Sequence, residues 1–198
     1  MPGEPMSEMS NWNRLLSLGL QGEALVREWY KRQGYFVLPV SLINNGGAPA
    51  LEGYVRKVIV ANHLAFKGAD QRWVEVKTYA RASFNQQRHR WEHGVPQRLW
   101  LHYLEGQALT HIPGYLTILQ VNKRLIMEGR IDRIATTAYV QAPAENHPPS
   151  GLQIFFDTRF FDWYRLDTLE PLPKMDSPKV IREWEEKPFP SDRQPPLF

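Results

Sequence analysis

Trp73-Val74-Glu75-Val76-Lys77 decides the fold reading, together with the stretch that leads into it: Val58 to Phe66 (VIVANHLAF), then Lys67-Gly68-Ala69-Asp70-Gln71. The two apolar runs read as neighbouring strands, and the polar five-residue stretch between them is a hairpin-sized turn. On a strand, alternate side chains share a face, so Glu75 and Lys77 point one way and Val74 and Val76 the other. A carboxylate and an ammonium on one sheet face have a joint use. The Glu can ligate Mg²⁺ through oxygen, and the Lys can orient or polarise an attacking water. The competing reading is a surface ion pair on a half-exposed strand, which contributes little.

On the N-terminal side, Leu15, Leu16, Leu18, Ala24, Leu25, Trp29 and Tyr30 recur at helical spacing between Asn11 and Arg32, and Gly34 stands where a helix would stop. Tyr35 to Val40 reads as a strand, with Pro39 ending it early or placing it at a sheet edge. Asn44-Asn45-Gly46-Gly47 is a turn signal. On the C-terminal side, Gln97 to His111 is helical in spacing and is closed by Pro113-Gly114. Tyr115 to Val121 is a buried strand, Leu125 to Tyr139 is a strand or a short helix, Gln141 to Gly151 is a loop, and Gln153 to Asp157 is a strand. The order of helix, three strands, helix and strand predicts an α/β fold, a mixed sheet flanked by helices. Residues 1–10 read as a flexible N-terminus, 11–172 as one domain and 173–198 as a Pro-rich tail.

Composition narrows the chemistry. The 198 residues contain no cysteine, which removes disulfides, zinc-thiolate sites and thiol nucleophiles. No apolar run approaches the roughly 20 residues that span a bilayer, and MPGEPMSEMSNWN lacks the basic and apolar blocks of a signal peptide, so the cytoplasm is the expected compartment. The net charge is only +3, but Arg81, Arg88, Arg90 and Arg98 stand against a single acid, Glu92, between Thr78 and Leu99. That excess can meet a phosphate backbone or can be an ordinary solvated surface.

The order of these features resembles the PD-(D/E)xK nuclease superfamily, which includes restriction endonucleases and Holliday-junction resolvases. The helix carries Gly22-Glu23-Ala24-Leu25-Val26 and ends in Gln33-Gly34-Tyr35. Ile59 to Phe66 falls where the family has a Pro-Asp strand, and the turn then delivers Glu75-Val76-Lys77. The resemblance covers roughly Leu18 to Val121. It implies a restriction-endonuclease-like α/β/α sandwich around a mixed sheet, Mg²⁺ (or Mn²⁺) as cofactor, DNA as partner, and catalytic roles for Glu23, Asn62, Glu75 and Lys77, with Asn62 and Glu75 on the metal. One departure stands out. Ala61-Asn62 occupies the Pro-Asp place, so an amide replaces a carboxylate and the site is one negative charge short. Asp70 and Glu52 are the acids that loops could bring in as replacements. His63 points to the opposite face of its strand and reads as packing, and the remaining histidines show no metal-ligand spacing.

The implied reaction is phosphodiester hydrolysis. Glu75, Asn62 and Glu23 hold one or two Mg²⁺, Lys77 places the water, and Arg81, Arg88 and Arg90 contact phosphates. Glu75 and Lys77 are expected to face a cleft rather than a packed layer. The alternative is a nuclease fold without hydrolysis that binds DNA or a protein partner. Gln194-Pro195-Pro196-Leu197-Phe198 resembles the Q-x-x-L-F peptide with which bacterial replication and repair proteins dock on the sliding clamp. There Leu197 and Phe198 would fill an apolar pocket and Gln194 would orient the peptide.

Overall fold

The computed structural model describes residues 6–40, 48–79, 82–141, 151–169 and 171–172. Helix α1 (Met6–Arg32) starts at Met6 rather than Asn11 and stops at Gly34, whose φ of 88° only glycine adopts without strain. Strand β1 (Phe36–Pro39) pairs with β4 (His63–Lys67) alone and is the sheet edge that Pro39 predicts. A short hairpin of β2 (Ala50–Glu52) and β3 (Lys57–Ile59) stands apart from that sheet. Strand β4 turns through Gly68-Ala69 into the long β5 (Asp70–Tyr79).

The expectation of one strand from Val58 to Phe66 is corrected here. The chain leaves β3 after Ile59 and enters β4 at His63, with Val60, Ala61 and Asn62 between them. A continuous apolar run hides such a break, because the buried residues Val60 and Ala61 pack on Trp73 as strand residues would.

Beyond β5 come β6 (Ser83–Asn85), β7 (Arg90–Pro96), α2 (Gln97–Thr110), β8 (Gly114–Gln120) and β9 (Leu125–Arg130). The short α3 (Ile131–Ala135) follows, so the segment from Leu125 to Tyr139 holds both a strand and a helix. Then come β10 (Tyr139–Gln141), β11 (Gln153–Asp157), β12 (Asp162–Arg165) and β13 (Pro171–Leu172). The main sheet runs β1-β4-β5-β8-β9-β12-β13, with β5 and β8 parallel and the other neighbours antiparallel. A second sheet, β10-β11-β7-β6, packs beside α2.

Alternation along β8 and β9 sorts the core. Leu116, Ile118 and Met127 pack with Trp100 and Tyr103 of α2, whereas Leu119 and Ile126 pack with Val26, Trp29 and Tyr30 of α1. The helices therefore cover opposite faces, and the architecture is an α/β/α sandwich around a mixed sheet. Among the described residues, no helix is long and apolar enough to cross a membrane. Arg81 and the tail residues Gln194, Leu197 and Phe198 lie outside the described residues, as do most of the expected loop from Gln141 to Gly151 and the Asn44-Asn45-Gly46-Gly47 turn.

Candidate functional site

The site forms where β4 and β5 part. Their ladder ends at the pair His63–Val74, and the next amide of β5 is taken by a side chain: Val76 N–H donates to Asn62 Oδ1 at 2.8 Å. A backbone N–H can only donate, which fixes the amide's orientation and leaves its NH₂ on the other side. That NH₂ donates to Glu23 Oε1 at 3.1 Å. The neighbouring His63 engages the main-chain carbonyl of the same Glu23 at 3.3 Å. Residues 62 and 63 thus hold Glu23 by its side chain and its backbone. Gly22 makes the approach possible, since a Cβ there would collide with Thr78 of β5. His63 is fully buried, and burial lowers its pKa, so it is a neutral packing residue, as its place on the strand predicts.

Glu75 faces the α2 layer and is only 3% exposed. The expectation that it faces an open cleft is corrected: its Oε1 accepts from Lys77 Nζ at 2.5 Å and from Tyr103 Oη, on α2, at 2.6 Å. Lys77 is more open, with its side chain 24% exposed. Burial opposes its charge, yet Glu75 beside it, with Tyr79 and Glu23 adding, holds its ammonium above the ordinary lysine range. Burial and then the Glu75 carboxylate push the Tyr103 phenol far up, so it stays a donor. Tyr79 continues the row of Glu75 and Lys77 along β5 and donates to the Gly94 carbonyl at 2.6 Å.

Two pairs result, Asn62–Glu23 and Glu75–Lys77, joined through the Val76 N–H that Asn62 accepts, and Glu23 adds to the field at Lys77. The two acids considered as replacements stay elsewhere. Asp70 starts β5, far along the strand from Glu75, and accepts from Arg72 and Tyr35; the Arg72 hydrogen bond holds its carboxyl below the usual range. Glu52 pairs with Lys57 across the β2–β3 hairpin at 2.9 Å and is exposed. Among the described residues no three His, Cys, Asp or Glu gather as a metal-binding group. Two carboxylates, one amide and one ammonium make up the cluster.

Tyr103 is the site residue that sequence reasoning missed. A Tyr at helical spacing among Leu99, Trp100 and Leu104 reads as core, and its ring is core; only the hydroxyl reaches the site.

The basic stretch behaves differently from its reading as a surface run. Arg90 Nε donates to buried Glu92 at 2.5 Å, and its guanidinium lies 3.6 Å from buried Asp157, the residue directly opposite Glu92 on β11. Its charge is already met inside the protein. Arg88 is exposed and lies over the Tyr139 ring, 3.6 Å from its centroid. His93, also on β7, is buried, and burial lowers its pKa to about 4.

No family model and no curated protein matches the sequence. Among solved structures the chain is similar to the Holliday junction resolvase Hjc of the archaeal hyperthermophile Archaeoglobus fulgidus, at 9% identity and a TM-score of 0.44. The match covers 70% of this chain and 83% of that one.

Proposed function

We propose that the chain is a divalent-metal-dependent DNA endonuclease whose hydrolytic power is weakened by Asn62. The observation that carries this is the chain of contacts from Glu23 through the Asn62 amide to the N–H of Val76, the residue between Glu75 and Lys77, which links three separate segments. Oxygen donors from two carboxylates and an amide fit a hard cation such as Mg²⁺ or Mn²⁺ in kind, with one charge fewer than three acids would give. Glu23, Asn62 and Glu75 would hold the ion. Once bound, it would neutralise charge on the phosphate and acidify a water.

The chain's own groups account for the rest. Lys77, charged beside Glu75 and partly open to solvent, can present its ammonium to a phosphate oxygen or a water lone pair. Asn62 keeps Glu23 turned toward the site. Arg81 and Arg88 are the cations of the basic stretch proposed for phosphates, and Arg90 contributes there only by leaving its carboxylates.

The test is a cleavage assay with Mg²⁺ and Mn²⁺ on linear, branched and single-stranded DNA. Metal-dependent cutting is expected, and Glu75→Gln and Lys77→Ala should each lower it by roughly 10³-fold, the scale of a lost transition-state charge contact. No cutting of any substrate with either ion would overturn the reading. A second reading has its own observation: both polar atoms of Asn62 are occupied by protein partners, and Glu75 already holds two donors. A nuclease fold that binds DNA or a protein partner without cutting it would look the same.

A further inference from the structure

Two donors share one oxygen in this cluster, and they differ in kind. Tyr103 is 5% exposed, its ring is held in the α2 core beside Trp100, and its hydroxyl has little freedom to go elsewhere. Lys77 has a flexible four-carbon stem and reaches solvent. Both donate to Glu75 Oε1, and a carboxylate oxygen has the lone pairs to accept both.

We infer that Tyr103 is a positioning residue that keeps the buried Glu75 carboxylate satisfied when Lys77 leaves it for an anion. A buried carboxylate stripped of its donors is costly, so a lysine that was its sole partner would be trapped in the ion pair. With Tyr103 in place, the ammonium can swing to a phosphate oxygen or a water while Glu75 keeps its place and its negative charge. Tyr103 itself never touches the substrate; it acts through Glu75. In cutting DNA this matters only if the nuclease reading holds. The sharing of one oxygen by two donors does not depend on it.

The full-length chain and its Tyr103→Phe, Lys77→Met and double variants decide the matter by thermal unfolding, repeated in a Glu75→Gln background. Each single change should lower Tm by a few degrees. The double should lose at least roughly 5 °C more than the sum, because only then does the buried carboxylate lose both of these donors. Glu75→Gln should erase that excess, since a neutral carboxamide tolerates the loss. An additive double, or an excess that survives Glu75→Gln, overturns the inference. In a chain that cuts DNA, Tyr103→Phe should also reduce kcat roughly tenfold with KM changed by less than about twofold; an unchanged kcat overturns the inference as well. A chain that cuts nothing removes the nuclease reading and leaves the unfolding cycle to judge Tyr103.

Discussion

The two ends of β5 use similar residues to opposite effect. At the start of the strand, Arg72 donates to Asp70 and to Glu128, and its guanidinium lies over the rings of Tyr35 and Tyr115, 4.8 and 4.4 Å from their centroids. Tyr30 also donates to Glu128, and Tyr35 to Asp70 at 2.5 Å. A planar fork bonded to two carboxylates and stacked on two aromatic rings is a lock. Further along, Glu75 meets a point charge on a flexible stem, and the other contacts of the cluster run through an amide and a phenol. Carboxylates, a cation and tyrosines occur at both ends. Only the second arrangement has a member that can move without leaving a planar network broken. That contrast separates a structural ion cluster from a candidate site better than residue type does.

The contrast breaks most visibly at Arg72. Arg72→Met leaves the buried Glu128 to the Tyr30 hydroxyl and takes the cation from Asp70, and should cost about 2–3 kcal/mol of stability, measured by urea unfolding. If the other end binds Mn²⁺, the affinity there should be unchanged. A loss under about 1 kcal/mol would mean that the Arg72 cluster is not the lock described, and a loss of metal affinity would mean that the two ends are coupled.

A smaller effect is expected at Asn62, where the structure sharpens what the sequence suggests. Aspartate there can still accept from Val76 N–H but cannot donate to Glu23, and it adds a second negative charge beside it. Asn62→Asp should therefore destabilise the metal-free protein by about 1–2 kcal/mol. Saturating Mn²⁺ should recover that loss and more, because ion binding stabilises only the folded chain. Cleavage should rise with it. If Tm with Mn²⁺ increases no more than in the natural chain, Asn62 does not stand at a metal position.

How much of this was legible in the sequence depends on range. The strand carrying Glu75 and Lys77, the turn before it and the helix bearing Glu23 are local patterns, and those elements form where the patterns put them. Asn62 appeared as a weakened ligand; its role as a substitute for a ladder acceptor requires the break after Ile59, which an apolar run conceals. Strand β7 was unreadable because Arg90, Glu92 and His93 look solvated by type, whereas Glu92 and His93 are buried by partners from β11 and β8 that lie far away in sequence. Tyr103 was hidden for the reverse reason: its ring satisfies the helix pattern so well that its hydroxyl attracts no attention.

The smallest effect separates two arginines that the sequence treats alike. Arg90 is tied to Glu92 and Asp157, so Arg90→Ala takes a cation from two buried carboxylates that keep Asn85, Tyr139 and Arg159, and its first consequence is lost stability. Arg88 is exposed and stacks on the Tyr139 ring. If the basic stretch meets DNA, Arg88→Ala should weaken binding across all sequences and reduce the magnitude of the salt slope of log affinity by roughly 1, the release of one counterion. Fluorescence anisotropy on a labelled duplex over a salt series reads both quantities. An unchanged slope for Arg88→Ala would remove this loop from the DNA path and leave the +3 net charge of the chain without a focus there. A slope change for Arg90→Ala in a fully folded protein would mean that Arg90 leaves its carboxylates to bind phosphate, and the line drawn between locked and available cations would then have to be redrawn.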